Sequence, residues 1–257
     1  MIPSLPPELA QSLATHRWER IAVGQSKAAV YRLHSPQGAD LILKILKRDR
    51  FLSLQGEVER LKWLQGRLPV PEVVGFHPEA EHDFLLMRAL PGDDASNKRL
   101  SSAAMVDLLT EALRFFHTVP ISDCPFRFSV ADGVADAKAI LDAGRVAIDS
   151  FDPENIGRDP HEMFEELLAL QPRETADVFT HGDFCLPNVI VNHGTLAGFI
   201  DFGRAGVGDV HRDLAIGSRS IERNLGPDAV DRFFQLYGTS HLDPARLRFF
   251  RLLDEFV

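Results

Sequence analysis

The chain has only two cysteines in 257 residues, Cys124 and Cys185, and no CxxC pair. That argues against a disulfide framework and against a structural zinc site. No stretch reaches the roughly 18 to 20 consecutive apolar residues that a membrane span needs. The first residues, MIPSLPPELAQSLATHRWER, lack the basic-then-apolar order of a secretion signal. No basic stripe runs along the sequence, which disfavours nucleic acid as a partner. What remains is the composition of a cytoplasmic globular protein with no membrane partner, expected to be a monomer or a weak homodimer. Its length suits one large domain or two modest lobes.

What is present begins with charge. The formal net charge is -9, unevenly spread. Residues 1–90 hold 12 Lys/Arg against 10 Asp/Glu, whereas residues 130–177 hold 12 Asp/Glu against 4 Lys/Arg. One segment carries nearly all the excess. It reads either as a solvated helical face or as an electrostatic funnel for a cationic partner.

The first ninety residues read as a short helix and then strands. ERIAVG, AVYRLHS and ADLILKIL are rich in β-formers, and SPQG between the last two is a turn signal. LQGEVERLKWLQG places Leu54, Val58, Leu61 and Leu64 at helical spacing. LPVPEVVGFHPEAEHDFLLMRAL suggests two more strands around a charged turn, and PGDD marks a break. Beyond it helices dominate. SSAAMVDLLTEALRFFHTV runs to Pro120, and DPHEMFEELLAL starts with Asp159 as N-cap, Pro160 at the first helical position and Glu162 completing a capping box. LDPARLRFFRLLDEFV repeats that start at Asp243 and Pro244. Set within this helical half is THGDFCLPNVIVNHGTLAGFIDFG, residues 180–203, a pair of short strands around an NHG turn that carries two aspartates and an asparagine.

His181-Gly182-Asp183, with Asn188 five residues after the aspartate, parallels the kinase catalytic loop H-R-D-x-x-x-x-N, and Asp201-Phe202-Gly203 is a literal D-F-G. In that reading Asp183 orients the attacking hydroxyl and accepts its proton. Asn188 and Asp201 supply hard oxygens for Mg²⁺ held mostly through nucleotide phosphates. Such chemistry also needs a lysine on the third strand and a carboxylate on the next helix. Lys44 lies in LILKIL, and Glu57 and Glu59 are both available, with Glu57 falling on the inward face. GQSKAA would cover the phosphates through Ser26 and backbone N–H groups. Met87, in the run leading out of the first lobe, would face the nucleotide.

The block HGDxxLPN…GFIDFGR, together with ISDCPF, LPVP and the ending RLLDEFV, resembles the aminoglycoside phosphotransferases, in particular the 3'-phosphotransferase (kanamycin kinase) group, from about residue 20 onward. The resemblance implies an α+β, bilobal protein-kinase-like fold with a small β-rich N-lobe and a larger, mostly helical C-lobe. It implies a nucleotide-binding lobe over residues 1–90, a hinge about 86–91, and a catalytic and aminoglycoside-binding lobe over 91–257. The implied activity is transfer of the γ-phosphate of ATP to the 3'-hydroxyl of a cationic aminoglycoside, with Mg²⁺, conferring antibiotic resistance. Arg88 and Leu90 would contact the nucleotide through their backbones, and Ile42, Ile190 and Ile200 would hold adenine by aliphatic contact. The drug-binding residues would be Asp152, Glu154, Asp183, Arg204, Arg219, Glu222, Asp254, Glu255 and the terminal carboxylate of Val257. This chain departs from the family pattern after Arg219, where relatives often carry adjacent acidic residues and SRSIERNLG offers only Glu222. Two other readings stand beside it: a kinase of another small hydroxylated amine or amino-sugar, and a non-catalytic kinase-like binding protein. Lys44, Asp183, Asn188 and Asp201 are all present, which disfavours the second.

Overall fold

The computed structural model describes residues 3–21, 27–49, 52–97, 99–173, 176–238 and 242–256. It divides into two compact units, one formed by Met1–Asn97 with Pro187–Gly203, the other by Lys98–Leu186 with Arg204–Val257.

The first unit is built on an antiparallel sheet of β1 (Arg17–Ile21), β2 (Ala29–His34), β3 (Leu41–Lys47), β4 (Val73–Pro78) and β5 (His82–Arg88), in the order β1-β2-β3-β5-β4. Side chains alternate across a strand, so the sheet has two faces of different use. Leu33, Leu43, Ile45, Phe84 and Leu86 form one core with Leu9 and Leu13, at and just beyond helix α1 (Pro7–Ser12). The alternate residues of β3, Ile42 and Lys44, lie opposite Met87 and Leu85 of β5. Helix α2 (Gln55–Leu64) buries Val58, Leu61 and Leu64, as its helical spacing requires, along with Leu54 at its N-cap. Asp83 of β5 anchors the start of α2, accepting hydrogen bonds from the Leu54 N–H and the Ser53 hydroxyl, each at 2.8 Å.

A second, three-stranded sheet completes this unit, from β6 (Asp93–Asp94), β8 (Val189–Asn192) and β9 (Thr195–Phe199). The hairpin turn has positive φ at both His193 (49°) and Gly194 (81°), the pairing that matches strand twist in a two-residue turn. This hairpin corrects the sequence reading twice. The division falls after Asn97 rather than at residue 90, and Pro187–Gly203 groups with the first unit, not with the helical one. The cause is strand pairing: Asp93 and Asp94 pair with Val191 and Ile190, and the Ala95 N–H donates to the Val189 carbonyl at 2.8 Å.

The second unit contains α3 (Ser102–Phe116), α4 (Val130–Asp142), α5 (Pro160–Ala169), α6 (His211–Leu225), α7 (Asp228–Tyr237) and α8 (Pro244–Asp254), with one two-stranded sheet of β7 (Asp177–Thr180) and β10 (Gly206–Asp209). Asp159 and Asp243 cap α5 and α8, each accepting two backbone N–H groups of the first turn. The core of α4, α5 and α8 includes Met163, Leu167, Phe249, Phe250 and Leu252, closed by Ala215 of α6. The expected α+β class, an antiparallel β unit followed by a largely helical one, is what the chain adopts. No helix of the described residues is long and apolar enough to cross a membrane.

Candidate functional site

In the first unit a lysine is held between two carboxylates. Lys44 Nζ donates to Glu57 Oε1 at 2.6 Å and lies 3.1 Å from Asp201 Oδ1. Lys44 is 7 % exposed and Glu57 3 %. Burial opposes the charge on Lys44, but Asp201 and Glu57 outweigh it and raise its pKa, so the amine stays protonated. Glu57 also accepts the Phe202 N–H, which ties α2 to the D-F-G segment. Asp201 sits at φ 66°, in the left-handed region that aspartate tolerates better than most residues. Of the two carboxylates open in the sequence, Glu57 is the one at Lys44. The additional contact of Lys44 with Asp201 was not foreseen.

Asn188 ends a short 3-10 turn, Leu186–Asn188, and is buried; its carbonyl accepts the Ile200 N–H at 3.0 Å. Ile42 and Met87 are cross-strand partners on the Lys44 face of the sheet, and Met87 is buried. Ile190 is buried in β8, and Ile200 follows β9 with intermediate exposure. The Arg88 N–H donates to the Glu72 carbonyl at 2.9 Å and its side chain to the Glu72 carboxylate at 2.6 Å. Leu90 is partly exposed. Ser26 lies outside the described residues.

In the second unit the loop carrying Asp183 is gripped by Asp213 of α6. Asp213 Oδ2 accepts the His181 N–H and Oδ1 the Gly182 N–H, both at 2.7 Å. Behind it, His117 Nε2 is 3.0 Å from Asp213 Oδ2, and His117 Nδ1 is 2.7 Å from the Tyr237 hydroxyl. Burial would raise the pKa of Asp213, but the hydrogen bond from His117 and the neighbouring imidazoles hold it below the ordinary carboxylate value. Burial and the Asp213 charge push the Tyr237 phenol up to about 12. The Asp183 N–H in turn donates to His181 Nδ1 at 3.3 Å.

Gly182 explains why this loop reads H-G-D. Its φ is 80°, and a Cβ there would meet the Arg204 carbonyl oxygen and Arg212 Nη1, each at 2.6 Å. Arg212 fills that space, donating to the Arg204 carbonyl at 3.0 Å and stacking its guanidinium 3.8 Å from the Phe128 ring centroid. Burial pushes the Arg212 pKa down to about 10, with Asp213 opposing the shift. Asp213, His117, Tyr237 and Arg212 were all missed in the sequence, because nothing local joins them to the loop.

The proposed drug-binding carboxylates are not bare. Asp152 is paired by Arg219 at 3.0 Å and by Arg223, and Asp254 by Arg204 at 2.6 Å and by Arg219. Glu154 is paired with Arg248 at 2.8 Å. Glu255 accepts from Asn155 Nδ2 at 2.6 Å and from the Asp152 N–H at 3.1 Å. Burial raises the pKa of Glu255, whereas Arg204 and Arg219 overcome burial to lower that of Asp254. A funnel of uncompensated negative charge is therefore not what Asp152, Glu154 and Asp254 present, because arginines from α6, α8 and the segment after Gly203 neutralise them. Glu222 is exposed on α6, and Val257 lies outside the described residues.

A lysine locked to a helix carboxylate and a D-F-G aspartate, with a buried aspartate holding an H-G-D loop, are the parts of a phosphoryl-transfer enzyme. Residues 17–250 match the model of the Phosphotransferase enzyme family, and the chain belongs to that family. The aminoglycoside 3'-phosphotransferase of Niallia circulans is 35 % identical over 258 residues, covering 98 % of this chain and 97 % of that one. An enzyme of the same name from Streptomyces fradiae is 34 % identical over 256 residues, covering 94 % and 95 %. Among solved structures, an aminoglycoside-3'-phosphotransferase of type VIII superposes with a TM-score of 0.85 at 31 % identity, covering 94 % of each chain. An aminoglycoside phosphotransferase from Streptomyces rimosus, solved with ADP and streptomycin, gives 0.81 at 28 % identity, covering 97 % of each.

Proposed function

We propose that this chain transfers the γ-phosphate of ATP to the 3'-hydroxyl of a cationic aminoglycoside and so confers resistance to that drug. The observation that carries the reading is the Lys44 ammonium fixed between Glu57 and Asp201. Full-length similarity to enzymes named aminoglycoside 3'-phosphotransferase supports the acceptor.

In this reading Lys44 pairs with nucleotide phosphates, while Ile42, Met87, Ile190 and Ile200 give adenine its aliphatic contacts. Asp183 orients the acceptor hydroxyl and takes its proton late in a loose transition state. Asn188 and Asp201 fit Mg²⁺ by donor chemistry, one amide and one carboxylate oxygen being the small protein share that an ion carried by phosphates requires. When bound, the ion would neutralise charge developing on the phosphates. Asp152, Glu154, Asp254 and Glu255 would receive substrate ammonium groups. A requirement for ATP fits a cytoplasmic setting, where that cosubstrate is supplied.

The test is turnover of kanamycin and neomycin with Mg·ATP, beside choline-like and amino-sugar acceptors. Phosphorylation of the antibiotics at low micromolar to millimolar KM is expected. Good turnover of a metabolite with none of either antibiotic would overturn the assignment of substrate.

A further inference from the structure

Asp152 and Asp254 gather with Arg204, Arg219 and Arg223, beside Glu255, so two of the carboxylates proposed to meet a polycation already have cations of their own. The three arginines are not equivalent. Arg219 spans two carboxylates, with Nη1 on Asp152 and Nη2 on Asp254, and is largely buried. Arg204 also joins Asp254, at 2.6 Å. Arg223 pairs with Asp152 from the last turn of α6, and its side chain is 44 % exposed against 6 % for Asp152. Such a guanidinium can leave cheaply: water solvates it, and the C-terminal end of a helix favours a cation. Arg219 stays behind to keep the buried carboxylate compensated.

Resting on the functional reading above, we propose that Arg223 is a specificity-determining residue, an internal counter-ion on Asp152 that a substrate ammonium must displace. Exchange of one cation for another yields only the difference between two ion pairs, not the full attraction of a bare carboxylate. Ring ammonium groups directed at Asp152 are thus bound less tightly than the number of carboxylates would suggest. A substrate with a neutral group in that place loses little.

The test compares wild type, Arg223→Gln and Arg223→Lys with neomycin as the probe, by steady-state kinetics and by calorimetric titration of the drug. Arg223→Gln should lower KM and Kd for neomycin by roughly three- to tenfold, with a steeper loss of binding as salt is raised. The KM for ATP should not change. Arg223→Lys, which keeps the cation, should stay near wild type. Unchanged or weaker neomycin binding in Arg223→Gln, at an unaltered Tm, would overturn the inference while leaving the kinase reading intact. A wild-type protein that neither binds nor phosphorylates any aminoglycoside would overturn both.

Discussion

Asp213 and Gly182 are joined by a 2.7 Å hydrogen bond from the Gly182 N–H to Oδ1, while Oδ2 of the same carboxylate takes the N–H of His181. A helix residue thus fixes the backbone on which Asp183 is carried. Asp213→Ala would leave two buried amide donors and the His117 ring without their acceptor. A loss of about 3–5 kcal/mol of stability is expected, measured by urea unfolding. Asp213→Asn keeps one oxygen acceptor and should cost less. A cost under about 0.5 kcal/mol for the alanine variant, the range of an ordinary surface change, would contradict this role.

Gly182→Ala meets two obstacles at once, a positive φ and a Cβ 2.6 Å from both the Arg204 carbonyl oxygen and Arg212 Nη1. The backbone at Arg204 belongs to the same packed unit and cannot yield as a flexible side chain would. The variant should lose about 1–3 kcal/mol of stability, and kcat should fall further than the KM for ATP rises. A fully active Gly182→Ala enzyme would show that the loop tolerates another backbone path.

Acid should unfold the protein in a predictable direction. The folded-state pKa values of Asp213 and Asp254 both lie below the ordinary carboxylate value. The folded chain therefore binds these protons more weakly than the unfolded chain does. Their stabilisation is complete above the unfolded carboxylate range of about 4 and is lost as pH falls through the lower folded values. Tm should hold near neutral pH and drop steeply below about pH 4. Asp254→Asn should flatten part of that limb; an unchanged slope would rule Asp254 out as a contributor.

Lys44→Met strands Glu57 and Asp201 without their shared cation. It should destabilise the chain by about 3 kcal/mol and weaken ATP binding roughly ten- to hundredfold. Adding Glu57→Gln should recover part of the stability and none of the ATP affinity. Asp183→Ala should behave in the opposite way, with ATP still bound and kcat reduced by about 10²–10⁴. Equal effects of the two substitutions on ATP affinity would contradict the separation of roles.

Much of this arrangement could be read from residue order, and the exceptions have physical causes. The strands carrying Lys44 and Met87 announced themselves by β-rich runs, and α5 and α8 by Asp-Pro starts whose aspartates do cap them. Helix α6 was not singled out, because its buried residues include His211, Arg212, Asp213, Ser218 and Ser220, which hide the usual apolar period. β7 and β10 are four residues each, and GVGD has little strand character. The grouping of Pro187–Gly203 with the first unit depends on pairing with Asp93 and Asp94, about a hundred residues earlier. The Asp213, His117 and Tyr237 chain spans 96 and 120 residues between partners, a separation no local pattern reports. The pairing of Asp152 with Arg219 and Arg223 was hidden for the same reason, so residue order alone left the acidic segment open between a solvated face and a funnel.

The most direct measurement is phosphorylation of two aminoglycosides that differ only in the 3'-hydroxyl, with the product's phosphate located by ³¹P NMR. Mg·ATP-dependent transfer to the 3'-oxygen of the hydroxylated compound, and none to its 3'-deoxy partner, is predicted. Comparable phosphorylation of both compounds, or of neither, would contradict the assignment.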